Sequence, residues 1–386
     1  MNNFEFYNPV KIIFGKDQIS KLPNHIPTSS RIMITYGGGS IKKNGVYDQV
    51  IKALEGHFIV EFGGIEPNPH YETAMKAVEL ARENQIDFIL AVGGGSVIDA
   101  TKFIAAAIPF NDGDPWTILS EKKPVKSAIS FGSILTLPAT GSEMNSGSVI
   151  TKVETKEKLA FGSPFTFPQF SILDPTVAST LPQRQVANGV VDAFTHVVEQ
   201  YMTYKVDAPL QDRLAESILL TLIEEGPKAY EDPSNYDAMA NLMWCATMAL
   251  NGIIRAGVPV DWATHGIGHE LTALHGIDHA RTLAIVLPGV WRVLKEEKKD
   301  KLIQYAERIW NITEGSENEK IDKAIEATER FFESLGIKTK MKDYNVGTDT
   351  IDTIVDRFEK RGWTALGDRQ LADIPTIKEI LNTQLQ

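Results

Sequence analysis

A single cysteine, Cys245, stands among 386 residues, so no disulfide can close within the chain, and a reducing compartment such as the cytoplasm is the expectation. No apolar run approaches the ~20 residues that a membrane helix requires. The opening Met1-Asn2-Asn3-Phe4-Glu5-Phe6 lacks a basic segment followed by an apolar one, so no secretory signal is expected. Positive charge is in short supply: 39 Lys and Arg against 50 Asp and Glu leave a net charge of −11. That balance argues against nucleic acid and against an anionic membrane surface as partners, because both need a Lys/Arg excess on some face. Two familiar signatures are also missing. No Gly-x-Gly-x-x-Gly fingerprint occurs, and His269-Glu270 is followed by Ala273 where a His-Glu-x-x-His metalloprotease motif needs its second histidine.

What is present is enough for an enzyme of two domains. At roughly 150 residues per domain the length suggests two or three, and 43% apolar residues can fill a core in each. Up to about residue 180, short apolar runs alternate with helical patterns. Arg31–Tyr36 stops at Gly37-Gly38-Gly39-Ser40 and a helix pattern follows through Val46 to Leu54. His57–Phe62 is followed by a helix pattern from Tyr71 to Glu83, and Asp87–Val92 stops at Gly93-Gly94-Gly95-Ser96. The runs are apolar on both faces, as strands covered by helices on each side are, and the repetition predicts a parallel α/β sheet. Ser133–Leu137 and Phe170–Leu173 read as further strands. From Pro182 onward the patterns are helical: Gln183–Tyr201, Leu210–Glu225, Tyr236–Ile254, Lys298–Trp310 and Ile321–Leu335, separated by turn signals such as Asp232-Pro233-Ser234. The expected organisation is an α/β domain at 1–180 and an all-helical domain at 181–386.

Glycines where an apolar strand hands over to a helix let backbone approach a phosphate while helix N–H groups point at it, and Gly94, Gly95 and Ser96 occupy such a place. A tight βα turn would look the same. The companion turn at Gly38, Gly39 and Ser40 lacks the acidic side chain that grips a ribose 2′-hydroxyl, and Lys42 and Lys43 lie just beyond, so the place would tolerate a 2′-phosphate. Leu137–Asn145 puts Thr140, Ser142 and Asn145 on an irregular stretch after a strand, which suits a cleft lining or a plain loop.

Four of the eight histidines fall between His265 and His279. Upstream, Asp192 and His196 are four apart in a helical pattern, so their side chains leave one face about 5–6 Å apart at Cβ. Their neighbours Val190, Val191, Ala193 and Phe194 are apolar, and a buried carboxylate needs a partner such as a metal. His265 and His279 would be about 21 Å apart on one straight helix. Gly276 offers a break after which the chain could turn back. Imidazoles plus a carboxylate suit zinc or iron and disfavour calcium and magnesium; scattered structural histidines are the alternative.

Together these motifs resemble the iron-containing (group III) alcohol dehydrogenase family, over nearly the whole chain. Within it they are similar to the NADPH-dependent aldehyde reductases and butanol dehydrogenases, on Tyr36–Gly45, the turn at Gly93, Leu137–Glu143 and His265-x-x-Gly268-His269-Glu270-Leu271. The resemblance implies a dinucleotide-binding α/β domain with a parallel sheet and an all-α metal-binding domain, the dehydroquinate synthase-like fold. It implies Asp192, His196, His265 and His279 as ligands of one divalent iron or zinc ion, with His269 near the substrate and concerned with proton delivery. It places Gly94, Gly95 and Ser96 on the pyrophosphate of NADP(H), Asp99 beside the nicotinamide end, Thr136, Thr140 and Asn145 along the cofactor, Lys158 on a ribose, and Gly38, Gly39, Ser40 and Lys43 at the 2′-phosphate. The implied activity is hydride transfer between NADPH and short-chain aldehydes or the matching primary alcohols, in a cytoplasmic homodimer. Aspartate at position 39 is expected to shift preference toward NADH. The alternative is a non-redox, metal- and NAD-dependent lyase of the dehydroquinate synthase type, which needs basic residues for a substrate phosphate that the cleft motifs barely offer.

Overall fold

The computed structural model describes residues 1–386. They form two compact units: Tyr7–Pro182 with Asp232–Asn251, and Gln183–Glu231 with Gly252–Gln386 and Met1–Phe6.

In the first unit the strands are β1 (Lys11–Phe14), β2 (Arg31–Tyr36), β3 (Phe58–Phe62), β4 (Phe88–Gly93), β5 (Ser130–Leu135), β6 (Gly147–Lys152), β7 (Glu157–Gly162) and β8 (Phe170–Leu173). Six of them make one sheet in the order β1-β8-β5-β4-β2-β3, with every pairing parallel. The helices between them are α1 (Val46–Ala53), α2 (Tyr71–Glu83), α3 (Gly95–Ala107) and the single turn α4 (Thr117–Ser120). Strand β4 is buried along its whole length, which explains an apolar run without alternation. Ile32 and Ile34 of β2, Leu90 of β4, Ile134 and Ile172 pack with Val46 and Val50 of α1. Each such large side chain contributes roughly 1.5–3 kcal/mol by leaving water. After β2 the chain moves outward to β3, and after β3 it returns to the other side of β2 as β4. The crevice at the carboxyl ends of β2 and β4 is therefore the switch point of the sheet, where open α/β folds bind ligands. The two glycine turns, after β2 and after β4, both open onto it.

Strand β1 and the antiparallel hairpin β6–β7 were not expected from the sequence pattern. The hairpin is half exposed and short, and it packs on α3 instead of extending the sheet. Helix α7 (Tyr236–Ala249) is helical as expected but belongs to this sheet unit, where its Thr247 hydroxyl donates to Glu143 at 2.5 Å. Local patterning reports that a segment is helical; it does not report which core receives it.

The second unit is helical: α5 (Gln183–Tyr201), α6 (Pro209–Glu231), α8 (Ala263–His275), α9 (His279–Val293), α10 (Lys299–Ile309), α11 (Glu317–Ser334), α12 (Thr348–Arg361) and α13 (Ile374–Thr383), with one two-stranded ribbon of two-residue strands at Ala365–Leu366 and Ala372–Asp373. Helix α5 is buried all round from Val186 to Tyr201, as a helix apolar on most faces must be. Aromatic rings fill the core beside it: Phe194 meets Phe332 edge-on at 5.4 Å, and Trp291 meets Tyr305 at 5.2 Å. At one end a buried ion cluster ties four segments together. Lys298, 2% exposed, donates to Asp368 at 2.9 Å, to the Met202 carbonyl at 2.9 Å and to Asp261. Asp261 in turn accepts the Ala263 N–H at 2.8 Å and so anchors the start of α8. No helix is long and apolar enough to cross a membrane.

Candidate metal centre and cofactor turns

Helix α5 carries Asp192 and His196 on one face, in a helix with no solvent side. Asp192 is 3% and His196 5% exposed. Helix α8 ends at His275, Gly276 takes the left-handed conformation (φ 67°) as its C-cap, and α9 starts at His279. The reversal lays α9 against α8 and returns His279 to the neighbourhood of His265. The prospective ligand atoms of Asp192, His265 and His279 lie within 4.8 Å of one another. Asp192 Oδ1 is 3.8 Å from His279 Nε2 and 3.8 Å from His196 Nδ1. The His196 ring stacks on His265 with centroids 4.7 Å apart. His269, one helical turn beyond His265, has its ring 5.0 Å from His279 and 6.2 Å from His265.

Asp192 Oδ1 is buried and accepts no hydrogen bond, a state that costs about 1–3 kcal/mol for a polar group and more for a charged one. Imidazoles at 3.8 Å are beyond hydrogen-bond reach but at the right separation to share a cation. A carboxylate oxygen and imidazole nitrogens form a donor set that fits a divalent transition metal.

Sequence patterning overlooked Glu199. It lies seven residues after Asp192, two turns along the same buried face, and is 3% exposed. Its carboxylate meets His265 Nδ1 and accepts the backbone N–H groups of Thr264 (2.7 Å) and His265 (3.4 Å). Burial pushes its carboxyl up to about 7, against the lowering effect of those backbone donors and of His196. An acidic residue completing an i, i+4, i+7 set in an otherwise apolar helix was the available signal.

In the sheet unit, β4 runs into α3 through Gly94, the N-cap, and the first-turn bonds run from Val97 (3.0 Å) and Ile98 (3.2 Å) to the Gly94 carbonyl. The N–H groups of Gly95 and Ser96 are thus the orphan donors of a helix N-terminus, suited to an anion. Gly95 is also required by packing, because a Cβ there would overlap the Thr140 side chain. Ser96 Oγ accepts the Asn68 N–H at 3.3 Å, and Lys158, 6% exposed, donates to Asn68 Oδ1 at 2.9 Å. Thr136 joins the turn through its N–H to the Gly93 carbonyl at 3.1 Å.

Asp99 is tied at both oxygens, to Ser142 Oγ (2.5 Å) and to the Val149 N–H (2.9 Å). Lys102, fully buried one turn later, was not singled out by the sequence. Its ammonium donates to Ser142 Oγ (2.8 Å), Asn145 Oδ1 (2.9 Å) and the Gly147 carbonyl (2.7 Å), so it organises the whole Thr140–Gly147 loop. Burial pulls Lys102 down to about 8, even with the Asp99 and Glu143 carboxylates near it.

After β2, Gly38 and Gly39 face open space: a Cβ at either would meet nothing within 4 Å. Of the two lysines beyond them, Lys42 is committed to Glu61 at 2.7 Å and lies over the Tyr36 and Tyr47 rings, whereas the exposed Lys43 makes no ion pair.

Residues 9–175 match the family described as iron-containing alcohol dehydrogenase, and residues 186–383 match its Fe-containing C-terminal region. The chain belongs to the iron-containing alcohol dehydrogenase family. Among its relatives, the NADPH-dependent aldehyde reductase YqhD of Escherichia coli is 59% identical, over 95% of this chain and 96% of that one. A probable NADH-dependent butanol dehydrogenase of Bacillus subtilis is 45% identical over 94% and 95%. The crystal structure of E. coli YqhD superposes with a TM-score of 0.98 over 99% of both chains, at 56% identity, and that of the NADH-dependent butanol dehydrogenase A of Thermotoga maritima with 0.95 over 100% and 99%, at 37%. The α/β-plus-helical architecture expected of an iron-containing alcohol dehydrogenase is the architecture found.

Proposed function

We propose that this iron-containing alcohol dehydrogenase is an NADPH-dependent reductase of short-chain aldehydes, working in reverse on the corresponding primary alcohols. The convergence of Asp192, His265 and His279 within 4.8 Å carries the reading, together with the likeness to an enzyme named for NADPH-dependent aldehyde reduction. His196 completes the proposed ligand set.

When bound, a divalent iron or zinc ion supplies Lewis acidity toward a carbonyl oxygen, and a reduced nicotinamide supplies the hydride. The chain does the positioning. Asp192, His196, His265 and His279 would hold the ion, three neutral imidazoles and one carboxylate leaving it electrophilic. Orphan N–H groups at Gly95 and Ser96 take the pyrophosphate, with Gly94 as the cap. Thr136, Thr140 and Asn145 line the cofactor, Lys158 takes a ribose hydroxyl, and Asp99 stands near the nicotinamide end, where its bonds to Ser142 and Val149 make it a rigid wall. Gly38, Gly39, Ser40 and Lys43 receive the 2′-phosphate. His269 delivers the proton that the alcohol oxygen needs once the carbon has gained hydride, so aldehyde, hydride and one proton give the alcohol. The assignment carries a cytoplasmic homodimer with it. The names of the relatives, dehydrogenases and reductases, weigh against the non-redox lyase.

The test is NADPH absorbance with butanal or a similar aldehyde added. Cofactor should be consumed in proportion to aldehyde, and Asp192→Ala or His265→Ala should abolish turnover with NADPH affinity nearly intact. A variant that turns over like the parent removes that residue from the ligand set.

A further inference from the structure

We infer that Glu199 is the positioning residue of the metal centre, holding His265 in the one tautomer and orientation that can bind a cation. The inference rests on the metal-site reading above and adds to it a residue outside the ligand set.

Three observations on α5 and α8 carry it. A Glu199 carboxylate oxygen is hydrogen-bonded to His265 Nδ1. An ionised carboxylate can only accept at this contact, so with Glu199 ionised the ring proton sits on Nδ1 and Nε2 is the nitrogen with a lone pair for a metal. The same carboxylate accepts the backbone N–H of Thr264 and of His265. It therefore fixes both the ring of His265 and the helical turn the ring is attached to. The backbone is pinned as well, since the Glu199 carbonyl accepts the Asp261 N–H at 2.9 Å, one residue before the αL position Trp262 that starts α8. Through Glu199 the two helices that carry Asp192 and His265 share one rigid joint.

The bland explanation is that Glu199 merely caps α8. Glutamine separates the two. In Glu199→Gln the amide oxygen can still accept the Thr264 N–H, so a cap survives. The amide nitrogen then faces His265 Nδ1, which must become an acceptor, moving the ring proton to Nε2 and blocking the ligand. Outer partners of metal-bound histidines typically matter about 10–100-fold in affinity.

The experiment follows zinc retained by the holoenzyme against a chromogenic chelator of known affinity, for the parent, Glu199→Gln and His265→Ala, with far-UV circular dichroism on each. Glu199→Gln should give up zinc at least tenfold more readily with an unchanged spectrum. Parental retention in Glu199→Gln, with zinc lost from His265→Ala, overturns the inference and leaves the metal site standing. Parental retention in His265→Ala removes His265 from the ligand set and overturns the inference with it. Independently of any variant's folding, 15N-histidine spectra of the zinc-loaded parent should show His265 protonated at Nδ1 and metallated at Nε2; metallation at Nδ1 overturns the inference.

Discussion

At the scale of single residues, the two glycines after β2 do not do the same job. Gly39 has φ 87°, so its backbone belongs to glycine whatever the space around it, whereas Gly38 has no such constraint and the same open surroundings. Aspartate is better tried at 38 than at 39. Gly38→Asp should leave stability nearly unchanged and lower kcat/KM for NADPH at least tenfold relative to NADH, since its carboxylate repels a 2′-phosphate and can accept from a 2′-hydroxyl. An unchanged ratio of the two would remove this turn from the cofactor site. A different residue reports on electrostatics away from the site. Burial pushes the Glu329 carboxyl up, but Arg292, bound through both guanidinium nitrogens, and Lys340 at 3.2 Å outweigh it and hold it below the usual carboxylate range. A depressed carboxyl stabilises the fold fully above the unfolded value, about 4.3, and the contribution is lost as pH falls through the lower folded one. Glu329→Gln should therefore cost about 1 kcal/mol at pH 7, and urea unfolding of both proteins should show the gap closing below pH 4. A gap independent of pH would assign the loss to packing.

At the scale of elements, the candidate metal centre depends on a helix that ends on time. Fourteen residues separate His265 from His279, and only the break at Gly276 brings them to ring contact at 5.2 Å. An L-residue in the left-handed conformation costs about 1–2 kcal/mol, so Gly276→Ala should lower urea stability by that much. If the α8–α9 reversal is what delivers His279, the same variant should also hold zinc less tightly; parental retention would mean that the turn survives the strain. Much of this was legible in advance. Helix α5 and strand β8 fall on their expected residues because their apolar patterns are long or bounded by strong turn signals. Helices α8 and α9 were not, since the His265–His279 stretch interleaves histidine and glycine with apolar residues and has no clean period. Helix α7 illustrates a different limit: its helicity is local, its place in the sheet unit is not.

At the scale of the molecule, a bound ion should act as a staple between α5, α8 and α9, because a ligand that binds only the folded state adds RT ln(1 + [L]/Kd), about 4 kcal/mol at a thousandfold excess over Kd. Thermal melting should therefore move down by several degrees when the protein is stripped with a chelator and return on adding back zinc or ferrous iron. His265→Ala should show neither change. Equal melting of stripped and reloaded parent would mean that the cluster is structural.

Periodicity and glycine placement were sufficient for the fold class, and the motifs around Asp192, His196, His265 and His279 for the resemblance to the family, which implied the candidate ligands, because each is written in local backbone preference or in a short motif. Tertiary structure alone decided that Glu199 and Lys102 matter. Both are buried charges, and what makes them consequential is the partner each meets from a distant segment: His265 lies 66 residues from Glu199, and Asn145 lies 43 from Lys102. A buried charge is tolerated only where such a partner arrives, and no local pattern encodes the arrival.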